Sequence, residues 1–549
     1  MSDSVENRYD LLVIGAGIAG MSAVISAKER GMRVMMVSKT SPTRAQSVMA
    51  QGGINAALGN VSEDSVRMHI EDTLKSSHGL ANPEMVERMC TLAPSVIEKL
   101  ERLGVPFSRI DGAETPLGSI AQRRLGGARV ARACYAQDYT GLKIAHTLYD
   151  TVLHMGIERM DDLFLLSLVS EDAVVGGAVF LRISTGEVIS IEADKVLLAT
   201  GGFGAAYHGY TTNACGTTGD AASAVLRAGG RLSGMEFVQF HPTALKGSSI
   251  LISESARGEG GILVDESGER FTDELAPRDE VSRAIFSKIK SGSDVYLDLT
   301  GLGREKLEKL MPQELHLASL HAGVDLATQR VAVSPAVHYT MGGIEVDENY
   351  AVTGLKNCFA VGECTNSHLH GANRLGGNSL LEISAFGFDV VDKMERMEVS
   401  DSVVDISLSR DRVREEIESM LAGEGETCDI YALRREFGEI LFTDVGIIRD
   451  RDGLVSALKR CSEIENIVSE CSPPDRSRCH NGSLVHLLES RNAILCARAT
   501  ILGAIYREES RGAHYRSDFP DENGMFGEDI VIGMGESGIF VDRGMGVSL

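Results

Sequence analysis

The segment Leu11-Leu12-Val13-Ile14-Gly15-Ala16-Gly17-Ile18-Ala19-Gly20 decides the fold. Its apolar start predicts a short buried strand, the stretch to about Arg30 a helix that Gly31 stops, and Arg33 to Val37 a second strand. Three glycines at this spacing, between strand and helix, suit a nucleotide. Gly15 permits the tight turn, Gly17 lets the backbone approach a pyrophosphate, and Gly20 lets helix and strand come close. The helix start receives the phosphate charge. The second strand closes on Ser38, where an acidic residue ordinarily holds the ribose of NAD, so a plain NAD site is not indicated.

Apolar strands closed by glycine recur far along the chain. Lys195 to Ala199 precedes Thr200-Gly201-Gly202, and Cys358 to Val361 precedes Gly362-Glu363. One folding unit is therefore expected from separated segments, with an insertion between about 235 and 337. Asn82-Pro83, Pro94 and Gly104 predict two short helices over 82–103, the second beginning at Pro94. From about 401 the texture turns helical. Leu484, Leu487, Leu488, Ile494, Leu495, Ile501, Leu502 and Ile505 predict a core-facing stripe.

The 549 residues allow about three or four domain-sized units. A net charge of −24 argues against nucleic acid and anionic membranes as partners, yet permits a local basic pocket. Met1 to Tyr9 is polar and acidic, without a secretory pattern. No run approaches the roughly 18 to 20 apolar residues of a bilayer span, so a cytoplasmic chain without direct membrane insertion is expected. Ten cysteines lie scattered without a CxxC pair and are expected as buried, reduced thiols, with no iron–sulfur cluster in this chain. Nothing near Cys471 or Cys479 supports a disulfide or metal there. His368 and His370 lack an evident third ligand, so no metal is expected.

The segment Arg374-Leu375-Gly376-Gly377-Asn378-Ser379-Leu380-Leu381-Glu382 sets a guanidinium beside small residues and a helix start. A helix start favours negative charge, and an arginine fork matches a carboxylate. An electron-rich cofactor and a carboxylate substrate side by side are the expectation.

The chain resembles the flavoprotein subunit of the fumarate reductase and succinate dehydrogenase family from Leu11 to Pro520. The motifs are Ala50-Gln51-Gly52-Gly53-Ile54-Asn55, Thr218-Gly219-Asp220, Glu236 to Thr243, Arg257-Gly258-Glu259-Gly260-Gly261, Pro277-Arg278-Asp279, His338 to Gly343, the Arg374 segment, and Glu509 to His514. The resemblance implies an α/β fold: a Rossmann-like FAD-binding domain (1–234 and 338–400), an inserted α+β capping domain (235–337), a helical C-terminal domain (401–515) and a tail (516–549). It implies FAD held by Gly15, Gly17, Gly20, Gly52 and Gly53, with Ser38 and Lys39 near the adenosine. Asp220 and Glu363 would bind cofactor hydroxyls, and the Ser379 and Leu380 amides the pyrimidine edge of the flavin. His241, Ser253, His338 and Arg374 would bind the dicarboxylate. The flavin N5 would supply a hydride, and Arg278 a proton refilled through Glu254 and Arg257. Arginine is an unusual acid, its free pKa exceeding about 12, and such a relay keeps it charged.

Many members attach FAD through a histidine. Gln46 stands at that position here, which implies non-covalent FAD and favours fumarate reduction over succinate oxidation. The resemblance also implies an iron–sulfur partner subunit, fed by quinol or, as in soluble enzymes of methanogenic archaea, by thiols. L-aspartate oxidase is an alternative, but its substrate-pairing glutamate is replaced by Leu125. A non-catalytic flavin-binding assembly subunit is a second alternative, opposed by the intact set His241, Arg278, His338 and Arg374.

Overall fold

The computed structural model describes residues 8–110, 112, 117–400, 405–423, 427–536 and 538–542. The polar start at 1–7 and the end of the tail at 543–549 lie outside them.

A seven-stranded sheet forms the centre. Its order is Glu158–Met160, Val34–Val37, Tyr9–Ile14, Glu187–Leu198, Val174–Arg182 and Leu163–Glu171, with Cys358–Ala360 also on Glu187–Leu198. The long strand Glu187–Leu198 serves two ladders. Residues 187–192 pair antiparallel with Arg182–Gly177, and 193–198 run parallel to Tyr9–Ile14 and Cys358–Ala360. Alternation splits the core, because successive side chains leave a strand on opposite faces. Leu11 and Val13 face the helices Ile18–Glu29, Pro83–Leu103, Thr140–His154 and Asn378–Glu395. Leu12 and Ile14 face a second core that includes the C-terminal helices. The three parallel strands Tyr9–Ile14, Glu187–Leu198 and Cys358–Ala360 end on the same edge, where open α/β sheets place ligands.

An arm leaves this layer. Its sheet runs Val238–Leu245, Val331–Thr340, Val295–Asp298 and Ile262–Asp265, and it has its own core around Leu263, Val281, Ile285 and Leu297. Helices Ile406–Ala422, Ile430–Asp444, Arg451–Glu470 and Gly482–Tyr506 follow. A hairpin, Val531–Gly535 and Gly538–Asp542, then returns to pair with Leu232–Ser233.

Three expectations are corrected. Residues 83–103 form one helix with Pro94 inside it. Asn82 caps its start by accepting the Glu84 N–H at 2.9 Å, and Gly104 stops it at φ 107°. An interior proline costs about 3 kcal/mol. Met85, Val86, Met89, Cys90, Ala93, Val96, Ile97 and Leu100 form an unbroken buried face, and each large apolar member contributes about 1.5–3 kcal/mol, so burial wins. Next, Cys471 is joined to Cys428 in a disulfide, and Cys215 and Cys479 are exposed rather than buried. The bonded pair lies 43 residues apart, with Cα atoms brought to 5.9 Å by two intervening helices, which spacing alone does not reveal. Finally, Gly482–Tyr506 has no single core-facing stripe: Glu489, Ser490, Asn492 and Thr500 are buried with the leucines.

Candidate active site

One continuous cavity lies along the edge where the three parallel strands end, and under the arm. It is lined by Gly15, Gly17, Ser38, Lys39, Gln46, Gly52, Gly53, Asp220, Glu363, Ser379 and Leu380, and by His241, Ser253, Glu254, Arg278, His338 and Arg374. Two of the residues singled out from sequence lie off it. Gly20 sits behind the turn, where a Cβ would stand 1.9 Å from the Gly15 carbonyl oxygen. Arg257 lies behind Glu254.

The nucleotide end is built for negative charge. Gly15 has φ +116°, and a Cβ there would stand 2.1 Å from Ala199 O, so only glycine fits. Helix Ile18–Glu29 starts at Gly17, which offers no capping side chain, and Ser47 Oγ accepts the Ile18 N–H at 3.3 Å. Helix Asn378–Glu395 likewise starts at a glycine, Gly377, at φ 85°. Two helix starts with glycine at the N-cap on one cavity, bordered by glycine walls, fit a pyrophosphate and an anionic ring edge. Asn55 holds the second start by donating to Gly376 O at 2.7 Å and Asn378 Oδ1 at 2.8 Å. Lys39 Nζ reaches Asp220 at 2.7 Å, Glu489 at 3.0 Å and Gly216 O at 2.6 Å. Burial lowers Lys39, and the two carboxylates more than offset this, leaving it raised. Burial pushes Glu363 up to about 7. FAD fits these residues.

At the other end five cationic or donor groups converge: His241, Ser253, Arg278, His338 and Arg374. Arg278 opens helix Arg278–Lys290 of the arm and donates to Glu254 Oε2 from Nε (3.2 Å) and Nη2 (2.6 Å). Arg257 Nη2 approaches Glu254 Oε1 at 3.4 Å and Nη1 donates to Glu274 O at 2.5 Å. Burial raises the Glu254 carboxyl, but Arg278 and Arg257 overcome this and hold it below the usual range. Burial, then Arg278, push Arg374 down to about 9, so it stays charged at neutral pH. Its guanidinium lies 4.5 Å from the Tyr339 ring centroid, and Tyr339 donates to Glu382 at 2.7 Å. Burial and the surrounding arginines push His241 and His338 well below the usual histidine range, so both are neutral. Thr243 N–H donates to His241 Nδ1 at 3.2 Å, which assigns the ring proton to Nε2. Ser253 Oγ accepts the Ser255 N–H at 3.2 Å, leaving its own hydrogen free for a ligand. Leu125 lines the same cavity and is buried.

Sequence reasoning missed Gln239, a fully buried amide on strand Val238–Leu245. Its Oε1 accepts from Arg278 Nη1 at 3.0 Å and Arg374 Nη2 at 3.1 Å. A glutamine amid apolar strand neighbours, two residues before His241, was the available signal. Glu489, which reaches Lys39 from a distant helix, carried no such signal. His368 is held by Asp529 (3.1 Å) and Glu345 (3.3 Å), and His370 by Glu382 (2.8 Å). Among the described residues no group of three or more His, Cys, Asp or Glu is placed to hold a metal ion.

The family pattern described as "FAD binding domain" matches residues 10–380, and that described as "Fumarate reductase flavoprotein C-term" matches 434–526. The chain is 36% identical to the succinate dehydrogenase flavoprotein subunit of Rickettsia bellii, over 94% of this chain and 91% of that one. It is 34% identical to the 8-methylmenaquinol:fumarate reductase flavoprotein subunit of Wolinella succinogenes, over 93% and 86%. A solved E. coli quinol fumarate reductase chain superposes with a TM-score of 0.90 at 32% identity, covering 97% of this chain and 96% of that chain. With two matching patterns and near full-length likeness, the chain belongs to the family of succinate dehydrogenase and fumarate reductase flavoprotein subunits, FAD-dependent oxidoreductases.

Proposed function

We propose that this chain reduces fumarate to succinate as the catalytic subunit of a complex with an iron–sulfur partner. The observation that carries the reading is the relay Arg257–Glu254–Arg278 on the same cavity as Arg374, His241, His338 and Ser253. Bound FAD supplies the hydride. The residues do the rest. Arg374, the two neutral histidines and the Ser253 hydroxyl bind and orient the two carboxylates. Arg278 holds a proton over the alkene carbon that does not receive the hydride. Glu254 Oε2, 2.6 Å from Arg278 Nη2, returns a proton to it, and Arg257 refills Glu254 from behind. The two guanidiniums hold Glu254 as a carboxylate, so it passes on a proton taken from Arg257 without keeping it. Gly15, Gly17, Gly52 and Gly53 give the cofactor room, Ser38 and Lys39 sit near its adenosine, Asp220 and Glu363 bind its hydroxyl groups, and Ser379 and Leu380 serve its ring edge. The arm over 235–337 acts as a cap that excludes water and strengthens each charge interaction.

FAD is held without a covalent link in this reading. The Gln46 amide is not a nucleophile, and its Oε1 is engaged by the Ala214 N–H at 2.7 Å. Electrons arrive from the partner subunit, and no described helix is long and apolar enough to cross a membrane. Leu125, an apolar wall, disfavours aspartate, whose ammonium needs a carboxylate. The test is reoxidation of reduced viologen by the purified holoprotein. Fumarate-dependent reoxidation is expected, while peroxide formation from aspartate without any fumarate turnover would overturn the reading.

A further inference from the structure

The flavin layer and the arm meet along a seam behind Ser253 that holds charged groups with no part in the chemistry above. Asp138 belongs to the flavin layer and is fully buried. Its Oδ2 accepts from the backbone N–H of Gln313 (2.8 Å) and of Glu314 (3.0 Å), at the start of the arm helix Pro312–Ala322. Glu314 is also fully buried, and its Oε1 accepts the Ser253 N–H at 2.8 Å. Ser253 heads the short helix that carries Glu254 and Arg257. A chain of bonds thus runs from the flavin layer, through the arm, to the proton relay.

The chain is incompletely satisfied. Asp138 Oδ1 and Glu314 Oε2 are buried without a hydrogen-bond partner, as are Nε and Nη1 of Arg123. Arg123 spends its Nη2 on Gln137 O at 2.6 Å and lies 3.6 Å from the Tyr135 ring centroid. Two carboxyls in a dry seam are stable together when a proton is kept on one of them.

We propose that Asp138 and Glu314 form a proton-holding seat that positions the arm, and through Ser253 the helix bearing Glu254, over the substrate cavity. Neither residue lines that cavity, so they are a positioning pair. Burial first, then the charge of Asp138, push Glu314 up to about 8, against the Ser253 N–H and Arg123. Burial pushes Asp138 up to about 6. Asp138 and Arg123 are the charged groups that bear on Glu314, and Arg123 also feels Tyr135 and Glu259. In an opened seam Glu314 returns toward an ordinary carboxyl value of about 4.3. The seated form binds the proton more tightly than the opened one. Seating therefore weakens as pH rises between the two values and levels off above about 8.

The experiment compares the holoprotein with Glu314→Gln, which mimics the protonated side chain and keeps an acceptor for Ser253. Hydrogen exchange over residues 250–258, without substrate, reads seating directly. The expected ratio of wild-type to variant exchange rates is near one below about pH 4, rises by up to about tenfold per pH unit above about 4.3, and levels off above about 8. Succinate affinity, followed by flavin absorbance, is expected to track it. A ratio constant with pH overturns the seat. If Glu314→Gln does not fold, Asp138→Asn should shrink the pH dependence, and an unchanged dependence overturns the proposal equally. The succinate measurement rests on the dicarboxylate reading: loss of succinate binding at every pH, with the exchange ratio still pH-dependent, defeats that reading and upholds the seat.

Discussion

Arg278 and Arg374 stand on different parts of the fold and donate to one oxygen, Oε1 of Gln239, at 3.0 Å and 3.1 Å. A neutral carboxamide gathers two like charges without cancelling the positive potential that a dicarboxylate needs. Its Nε2 donates to Asn373 Oδ1 and Arg374 O, both at 2.8 Å, and Asn373 in turn donates to Asp279. The fork of Arg374 is thereby tied to the helix that begins at Arg278.

Removing that acceptor should loosen both guanidiniums. Hydrogen bonds to charged groups are worth about 1.5–3 kcal/mol. Gln239→Leu is expected to weaken succinate binding about 10- to 100-fold while FAD content stays unchanged. Titration followed by flavin absorbance checks this, and wild-type affinity in the variant would refute the role.

Loss of the proton donor should separate binding from turnover. Arg278→Ala is expected to lower the rate of fumarate reduction by at least about 10²- to 10⁴-fold, the usual contribution of a positioned acid. FAD should remain bound, since Arg278 lies at the carboxylate end of the cavity. Retained turnover in the reduced-viologen assay would exclude Arg278 as donor.

Acid precipitation tests the cofactor linkage. With Gln46 in place the yellow colour is expected in the supernatant. Colour that stays with the pellet would show a covalent bond.

Lys39 and Glu489 join the nucleotide end to the C-terminal helix at 3.0 Å. Burial opposes the charged carboxyl, but Lys39, His486 and Arg434 hold Glu489 down at about 2. A depressed carboxyl stabilises the fold above its unfolded pKa of about 4.3, and this stabilisation is lost as pH falls toward about 2. Glu489→Gln should lower the melting temperature at neutral pH and flatten the stability curve across that acid window. An unaltered acid limb would count against the pair.

Arg507 is fully buried between Glu236 (2.7 Å) and Glu509 (2.8 Å). Breaking a buried pair by removing one partner costs about 3–5 kcal/mol because the other charge is stranded. Arg507→Ala should lower thermal stability by that order, measured by denaturant unfolding. A loss below about 1 kcal/mol would show that water satisfies the two carboxylates.

The glycine turn at Gly15–Gly20, the strands at 195–199 and 358–361 and the helical texture after 401 were legible because each rests on local pattern. What was not legible depends on distance along the chain. Pro94 reads as a break until the buried face on both sides of it is counted. Cys428 and Cys471 carry no local sign of each other. Gln239 lay within a recognised motif but gained its meaning only when Arg278 and Arg374, 39 and 135 positions away, arrived at its oxygen. Glu314 and Asp138 are likewise 176 positions apart and gave no signal at all.

The hairpin at 531–542 pairs with Leu232–Ser233, which also pairs with Gly343–Glu345. On a ribosome these strands emerge after every segment that lines the cavity. Leu232–Ser233 therefore waits for its partner on this side, and a chain stalled before residue 531 would present it with an unpaired strand edge.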